Sequence, residues 1–347
     1  MTKRKKNGGR GRGIAAFILF LLVAAGGAAA YFYIDYERFA DAPLSPLTDS
    51  ASIDVPFGTA LPGVVRMLDS VGVHAGESLY WRFLARQMNV AGKLKAGEYA
   101  IDPGITPRML LAKMAAGDVI QHHFTIVEGW TFAQVRAALA ADSGIKQTIA
   151  STDDAAVMRE LGADNAPPEG WFLPETYSYV KGMSDVDVLR HAHAGMQKLL
   201  DEKWAARTPN PSLTAPYQAL ILASIVEKET AKPDERPLIA AVFLHRLQLG
   251  MKLQTDPTVI YGLGASYDGK IHRRDLDADT PFNTYTRVGL PPTPIAMPGA
   301  ASLNAVLHPA DTDALYFVAR GDGSHEFSPS LEAHNRAVGK YQLHQMQ

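Results

Sequence analysis

The chain has 347 residues, with 34 Lys and Arg against 36 Asp and Glu, and it contains no cysteine. Six of the basic residues lie within the first 12 positions, so the remainder has 28 basic and 36 acidic residues, a net charge of about −8. That balance argues against a nucleic-acid partner, which requires a basic face. Without cysteine, disulfides, thiolate chemistry and cysteine–metal sites are excluded, and the fold must rest on its hydrophobic core.

The N-terminus has the pattern of a membrane anchor. Residues 1–13 form a basic tail, and residues 14–34 carry no charge. At about 1.5 Å per residue, a helix over 14–34 reaches roughly 30 Å, the thickness of a bilayer's hydrocarbon core. Basic residues before the span predict a cytoplasmic N-terminus. The alternative is a signal peptide cleaved at Ala28-Ala29-Ala30, although the apolar run exceeds the usual ~7–15 residues. Both interpretations predict that the rest of the chain is exported.

The next part of the chain predicts a linker and a small α+β module. Residues 35–51 contain two prolines and little periodicity, which favours a linker. Residues 52–128 predict the order β-α-α-β-α-β. The predicted strands lie at 52–57, after Lys95 and at 121–127. The predicted helices cover 61–71, 78–89 and 106–116.

Residues 129–347 predict a larger, mixed α+β domain. Residues 142–168 are polar and are expected to be irregular, and residues 251–347 are expected to combine short strands with loops. The predicted helices cover 131–141, 184–206, 217–230, 233–249 and 330–345.

The helix predicted at 217–230 carries the strongest candidate for chemistry. Leu222, Ile225, Val226 and Glu229 are spaced i, i+3, i+4 and i+7 and therefore share a face. Burial of the Glu229 carboxyl would raise its pKa, and a glutamic acid that is still protonated near neutral pH can donate to a leaving-group oxygen. The alternative is that Glu227 and Glu229 are solvated at a fraying helix end and pair with Lys228 or Arg236.

Two polar segments could complete a binding site. Gln254, Thr255 and Asp256 precede Pro257, which should fix a turn rich in hydrogen-bonding groups. Asp256 could instead form an ordinary Asx-type turn. Asn283, Thr284 and Tyr285 precede a rigid, proline-rich loop.

Several other chemistries lack their sequence motifs. The histidines show no HExxH or comparable metal-ligand spacing, and no GxSxG, P-loop or dinucleotide fingerprint is present. These absences argue against a metal or dinucleotide site.

The motifs together resemble one family. In order they are SIVEKET (224–230), LQTDPTVIYG (253–262), FNTYT (282–286), GLPPTPI (289–295) and PGAASL (298–303). They are similar to the YceG-like family of membrane-anchored endolytic murein transglycosylases, and the EGWFLPETY run from Glu169 also resembles its pattern. This resemblance implies a LysM-like module at 52–128 and a catalytic domain at 129–347.

The resemblance also implies roles for individual residues. The family's catalytic glutamate corresponds to Glu229, with Glu227 as an auxiliary candidate. The groove residues that it implies are Gln254, Thr255, Asp256, Tyr261, Asn283, Thr284 and Tyr285.

The implied reaction cuts the β-1,4 bond between N-acetylmuramic acid and N-acetylglucosamine, leaves a 1,6-anhydro end and requires no metal or organic cofactor. The enzyme would be held in the inner membrane, face the periplasm and act on nascent peptidoglycan strands, with a penicillin-binding cell-wall synthase as a hypothetical partner. Two alternatives remain. One is a hydrolytic muramidase in which Asp256 or Glu227 positions water, and the other is a non-catalytic wall-binding scaffold.

Overall fold

A computed structural model describes residues 9–44, 49–164 and 166–343, with side chains from residue 13 to residue 341 where described. The chain divides into two compact units, one ending at Gln121 and the other beginning at His122. Each unit mixes helices with short strands, which confirms the predicted α+β class.

The first unit packs helices against one antiparallel strand pair. Its helices and strands are α1 (Gly9–Asp41), β1 (Ala51–Val55), α2 (Leu61–Ser70), α3 (Ser78–Gln87), β2 (Gly97–Ile101) and α4 (Pro107–Ala116). Strands β1 and β2 pair from Ala51 opposite Ile101 to Val55 opposite Gly97. Trp81 is fully buried in the core, and its indole N–H donates to the Ala75 carbonyl at 2.6 Å.

Helix α1 is longer than the span predicted at 14–34. From Gly13 to Asp41 it is apolar enough to cross a membrane, a property that anchors and signal sequences share. Its last turns contain Tyr36 and Ala40, both fully buried in the first unit's core. The predicted linker at 35–51 is therefore wrong over 35–41, because apolar residues at helical spacing pack there. Residues 45–48 of that linker lie outside the described residues.

The second unit is mainly helical. Its helices and strands are β3 (His122–Thr125), α5 (Phe132–Ala141), α6 (Asp154–Glu160), β4 (Thr176–Tyr179), α7 (Asp185–Ala205), α8 (Pro216–Glu229), α9 (Arg236–Gln248), α10 (Asp256–Leu263), α11 (Arg273–Asp277), α12 (Ala300–Leu307), β5 (Tyr316–Ala319), β6 (His325–Ser328) and α13 (Leu331–Val338). Short 3₁₀ turns cover Pro233–Glu235 and Gly264–Ser266, and a π turn covers Gly339–Leu343.

Strand β3 corrects the predicted domain boundary. It pairs with β4, from His122 opposite Tyr179 to Thr125 opposite Thr176, so it belongs to the second unit. The division of the chain therefore falls between residues 121 and 122, whereas the sequence predicted it between 128 and 129. Periodicity revealed the strand but not a partner that lies about fifty residues further along the chain.

Three helix predictions also need correction. Helix α6 lies inside the segment predicted as irregular, and the Asp153 side chain caps it by accepting from the Ala156 amide at 2.7 Å. The helix predicted at 233–249 begins as a 3₁₀ turn before α9. The last helix ends at Val338 and continues as the π turn; residues 344 and 345 of the predicted helix lie outside the described residues.

Candidate active site

Helix α8 is the centre of the second unit's core. The predicted apolar face is confirmed, since Leu222, Ile225 and Val226 are fully buried. A second face, with Leu220, Ala223 and Ser224, is fully buried as well. Ser224 fits there because its hydroxyl donates to the Ile221 carbonyl at 2.7 Å and accepts from the Ile295 amide at 3.0 Å. A helix buried on nearly all sides gives its last residue, Glu229, a fixed position.

The Glu229 carboxyl lies at the end of α8, against a cavity of about 400 Å³. The whole residue is half-buried, but burial of its carboxyl raises the pKa to about 7. The Thr255 hydroxyl donates to this carboxyl and partly offsets the increase, whereas the negative charge of Asp256 adds to it. At neutral pH the carboxyl is therefore present in both its protonated and its ionised form, as proton transfer in both directions requires.

The cavity gathers residues from distant parts of the chain. Four of the predicted groove residues, Gln254, Thr255, Asp256 and Tyr285, line it together with Glu229. The remaining lining residues are Arg246, Leu253, Tyr316, Phe317, Val318, Ala319, His325, Leu331, His334 and Val338.

The turn at Gln254–Asp256 is held in a specific backbone geometry. Gln254 has a φ of +54°, a left-handed conformation that is uncommon for a residue with a side chain. Its amide donates to the Thr284 carbonyl at 3.1 Å, and the Thr255 amide donates to the Thr284 hydroxyl at 3.1 Å. Strain of this kind is often found at functional sites, where the surrounding contacts stabilise it.

Asp256 opens helix α10, where a negative charge is favoured by the helix dipole. Its carboxylate accepts a hydrogen bond from the Tyr285 hydroxyl at 2.6 Å. Asp256 and Glu229 thus place two carboxyl groups on the wall of one cavity.

Asn283 and Thr284 form hydrogen bonds with other residues of the protein. The Asn283 amide nitrogen donates to the carbonyls of Asp275, Leu276 and Ala278, and its oxygen accepts from the Tyr285 amide. Both residues are nearly fully buried, and neither lines the 400 Å³ cavity. The structure places them beneath the Gln254–Asp256 turn and Tyr285, and their contact with substrate stays a prediction.

Glu227 faces away from Glu229. Its carboxylate accepts from the Gly299 amide at 2.9 Å and lies 3.6 Å from the Arg236 guanidinium. Its side chain is 5% exposed and does not line the cavity. The pairing with Arg236 considered from the sequence is present, but the solvated helix end is not.

Tyr261 lies on a second cavity of about 980 Å³. Its hydroxyl donates to the Glu169 carboxyl at 2.9 Å, and the other oxygen of that carboxyl accepts from the Phe132 amide at 2.9 Å. Burial raises the pKa of Glu169 to about 7. In the sequence, the run beginning at Glu169 is notable for its aromatic residues and its family pattern. A buried acid within it is a feature that short-range periodicity does not reveal.

We expect Glu169→Gln to weaken the pH dependence of stability. Folding raises the pKa of Glu169, so its stabilising contribution is complete below about pH 4.5 and is lost as the pH rises through about 7. Between about pH 5 and about pH 7.5, this loss lowers the free energy of unfolding of the wild type by an amount on the order of 2 kcal/mol. Urea unfolding at about pH 5 and about pH 7.5 measures it. The exposed Glu175→Gln is the control, and equal pH slopes for wild type and Glu169→Gln would contradict the assignment.

Two residues that the sequence did not single out also line the 400 Å³ cavity beside Glu229. Arg246 is 8% exposed, and its guanidinium donates to the carbonyls of Leu315 at 2.7 Å and Leu253 at 2.8 Å. His325 is the first residue of β6, and its Nδ1 lies 2.7 Å from a Glu235 carboxyl oxygen. Within the described ranges, no group of three His, Asp or Glu side chains is placed to hold a metal ion.

Comparison with known proteins identifies the family. The YceG-like family model matches residues 53–340. An endolytic murein transglycosylase of Bacillus subtilis (strain 168) is 29% identical over 309 residues, covering 84% of this chain and 85% of that protein. Another, from Streptococcus pneumoniae serotype 2, is 26% identical over 366 residues, covering 94% of this chain and 65% of that protein.

A solved structure is similar as well. The crystal structure of a YceG-like protein from Listeria monocytogenes is 28% identical and superimposes with a TM-score of 0.52. The match covers 83% of this chain and 99% of that one. The resemblance seen in the motifs is thereby confirmed, and the chain belongs to the YceG-like family.

Proposed function

We propose that this protein is an endolytic peptidoglycan lytic transglycosylase and that Glu229 is its catalytic residue. The observation that carries the proposal is the Glu229 carboxyl, whose pKa burial raises to about 7 on the wall of a polar cavity. The names of the B. subtilis and S. pneumoniae relatives support the same activity.

Glu229 would act first as an acid. Its proton passes to the oxygen that links muramic acid C1 to the next glucosamine, and the C1–O bond breaks with its electron pair moving to that oxygen. The charge of Asp256 and the burial of Glu229 both favour the protonated form that this step needs.

Glu229 would then act as a base. The C6 hydroxyl of the same muramoyl residue attacks C1, and the Glu229 carboxylate takes the hydroxyl proton. The products are a 1,6-anhydromuramoyl end and a free glucosamine 4-hydroxyl. Because the nucleophile belongs to the substrate, it has a high effective concentration and needs no second carboxylate to activate water. The Thr255 hydroxyl, which donates to Glu229, would stabilise the ionised form between the two steps.

The remaining groove residues would act in two ways. Gln254, Asp256 and Tyr285 line the cavity and would bind sugar hydroxyls or N-acetyl groups. Asn283 and Thr284 would act indirectly, by holding the Gln254–Asp256 turn and Tyr285 in place. Tyr261 would bind the substrate from the second cavity.

We further propose that α1 is a single-pass anchor in the inner membrane, with a cytoplasmic N-terminus and a periplasmic remainder. Since the same helix continues into the core of the first unit, that unit would lie next to the bilayer. An active site tethered in this way would act on glycan close to the membrane, where strands are made. The first unit would serve as the LysM-like module, and a penicillin-binding synthase is the partner to test.

A hydrolytic muramidase is the second candidate, because Asp256 places another carboxyl group on the cavity. Digestion of purified sacculi by the full-length protein in detergent, followed by mass spectrometry of the fragments, decides between the two. We expect 1,6-anhydromuramoyl ends, which are about 18 Da lighter than the reducing ends left by hydrolysis. Reducing ends would establish the muramidase, and binding without any cleavage would favour the wall-binding scaffold.

A further inference from the structure

Glu235 and His325 form a buried acid–base pair beside the proposed catalytic acid. The imidazole Nδ1 lies 2.7 Å from one Glu235 oxygen, and the His325 amide donates to the other at 2.9 Å. The side chain of His325 is 14% exposed, and that of Glu235 is 12% exposed. Two contacts from one residue to one carboxylate fix both the position and the orientation of the ring.

The pair is also tied to the end of helix α8. Thr230, which directly follows Glu229, donates from its hydroxyl to Glu235 at 3.4 Å. The same hydroxyl accepts from the Lys232 amide at 3.0 Å. The segment that carries Glu229 therefore contacts the carboxylate that holds His325.

The pairing defines which ring nitrogen of His325 carries a proton toward Glu235. Although burial acts to raise the pKa of Glu235, its hydrogen bonds to His325 hold that pKa below the ordinary value, so Glu235 is ionised. A carboxylate can only accept, so Nδ1 carries a proton. The other ring nitrogen, Nε2, has no hydrogen bond to another residue in the described part of the chain.

His325 lines the same cavity as the Glu229 carboxyl. A positive imidazolium there favours the ionised form of Glu229 and opposes the effects of burial and of Asp256. The other charged or titratable groups around the pair are Lys232 beside Glu235, and Arg246, Asp256, Tyr285, Tyr316 and His334 on the cavity wall.

We propose that Glu235 and His325 are a positioning pair for the proposed reaction: Glu235 holds the imidazole toward the cavity, and the imidazole sets how readily Glu229 gives up and retakes its proton. This inference rests on the proposed function for its catalytic meaning. The coupling between His325 and Glu229 is nevertheless a property of the folded protein and can be measured without substrate.

The test compares His325→Gln, Glu235→Gln and the double variant with wild type. An acid that must be protonated loses activity as the pH rises through its pKa, so removal of the imidazolium should move the basic limb of the kcat/KM profile to higher pH. We expect a displacement of about half a pH unit. Because Glu235 acts through His325, the double variant should resemble His325→Gln rather than add the two effects.

A carboxyl-carbon NMR titration of Glu229 gives the second measurement, and it requires only folded protein. Circular dichroism establishes folding, and His191→Gln, on an exposed part of α7, is the matched control. The Glu229 midpoint should rise in His325→Gln and stay constant in the control. An unchanged midpoint in folded His325→Gln, or additive effects in the double variant, overturns the pair. Wild-type protein that leaves murein uncut overturns the proposed function instead, and the titration still decides the coupling.

Discussion

Glu229→Gln should reduce murein cleavage by about a thousand-fold, the scale expected for loss of a general acid–base group. The amide has nearly the same shape as the carboxyl and can still accept a hydrogen bond from the Thr255 hydroxyl. It cannot protonate the glycosidic oxygen or take the C6 hydroxyl proton. Release of soluble muropeptides from sacculi, followed by chromatography, measures the loss.

Glu227→Gln provides the matched control, two residues away on the same helix. Its carboxylate contacts the Gly299 amide and Arg236 rather than the cavity, so activity should stay within about five-fold of wild type. Its free energy of unfolding should fall by about 1–2 kcal/mol, because a buried, charged acceptor is lost. Full activity of Glu229→Gln, or equal losses in both variants, would show that Glu229 is not the catalytic acid.

Local patterns predicted the helix and its acid but not their surroundings. The i, i+3, i+4, i+7 spacing is enough to place Glu229 on a buried face of α8, because that relation depends only on helix geometry. The turn at Gln254–Asp256 was visible from its polar residues and Pro257. Both features depend on contacts within a few residues in sequence.

The rest of the site depends on pairing between distant segments. Arg246 bonds a carbonyl 69 residues away, and His325 pairs with an acid 90 residues away. Each appeared in the sequence as an isolated charged or titratable residue, which periodicity cannot place. Tyr261 shows the same limit: its motif indicated the groove, but only the structure shows that its hydroxyl donates to Glu169 on the second cavity.

Arg246→Met should lower the free energy of unfolding by about 3 kcal/mol. The buried guanidinium donates to the carbonyls of Leu315, Leu253 and, at 3.3 Å, Lys252, and it lies 5.0 Å from the centre of the Tyr316 ring. Methionine fills similar space but leaves these carbonyls without their donor in a poorly solvated site. Urea unfolding measures the change.

The same substitution should reduce activity by about a hundred-fold even where the protein is folded. Leu253 leads directly into the strained Gln254 backbone and Thr255, so loss of the guanidinium releases the residues that orient Glu229, and small displacements of reacting groups are costly. Arg246→Lys, with one donor group instead of a planar fork, should fall between wild type and Arg246→Met. The exposed Arg190→Met should change stability by less than about 0.5 kcal/mol. A different result is that Arg246→Met unfolds at the same urea concentration as wild type and keeps its activity. That result would show that the guanidinium does not organise the Gln254–Asp256 turn and that Thr284 alone must hold it.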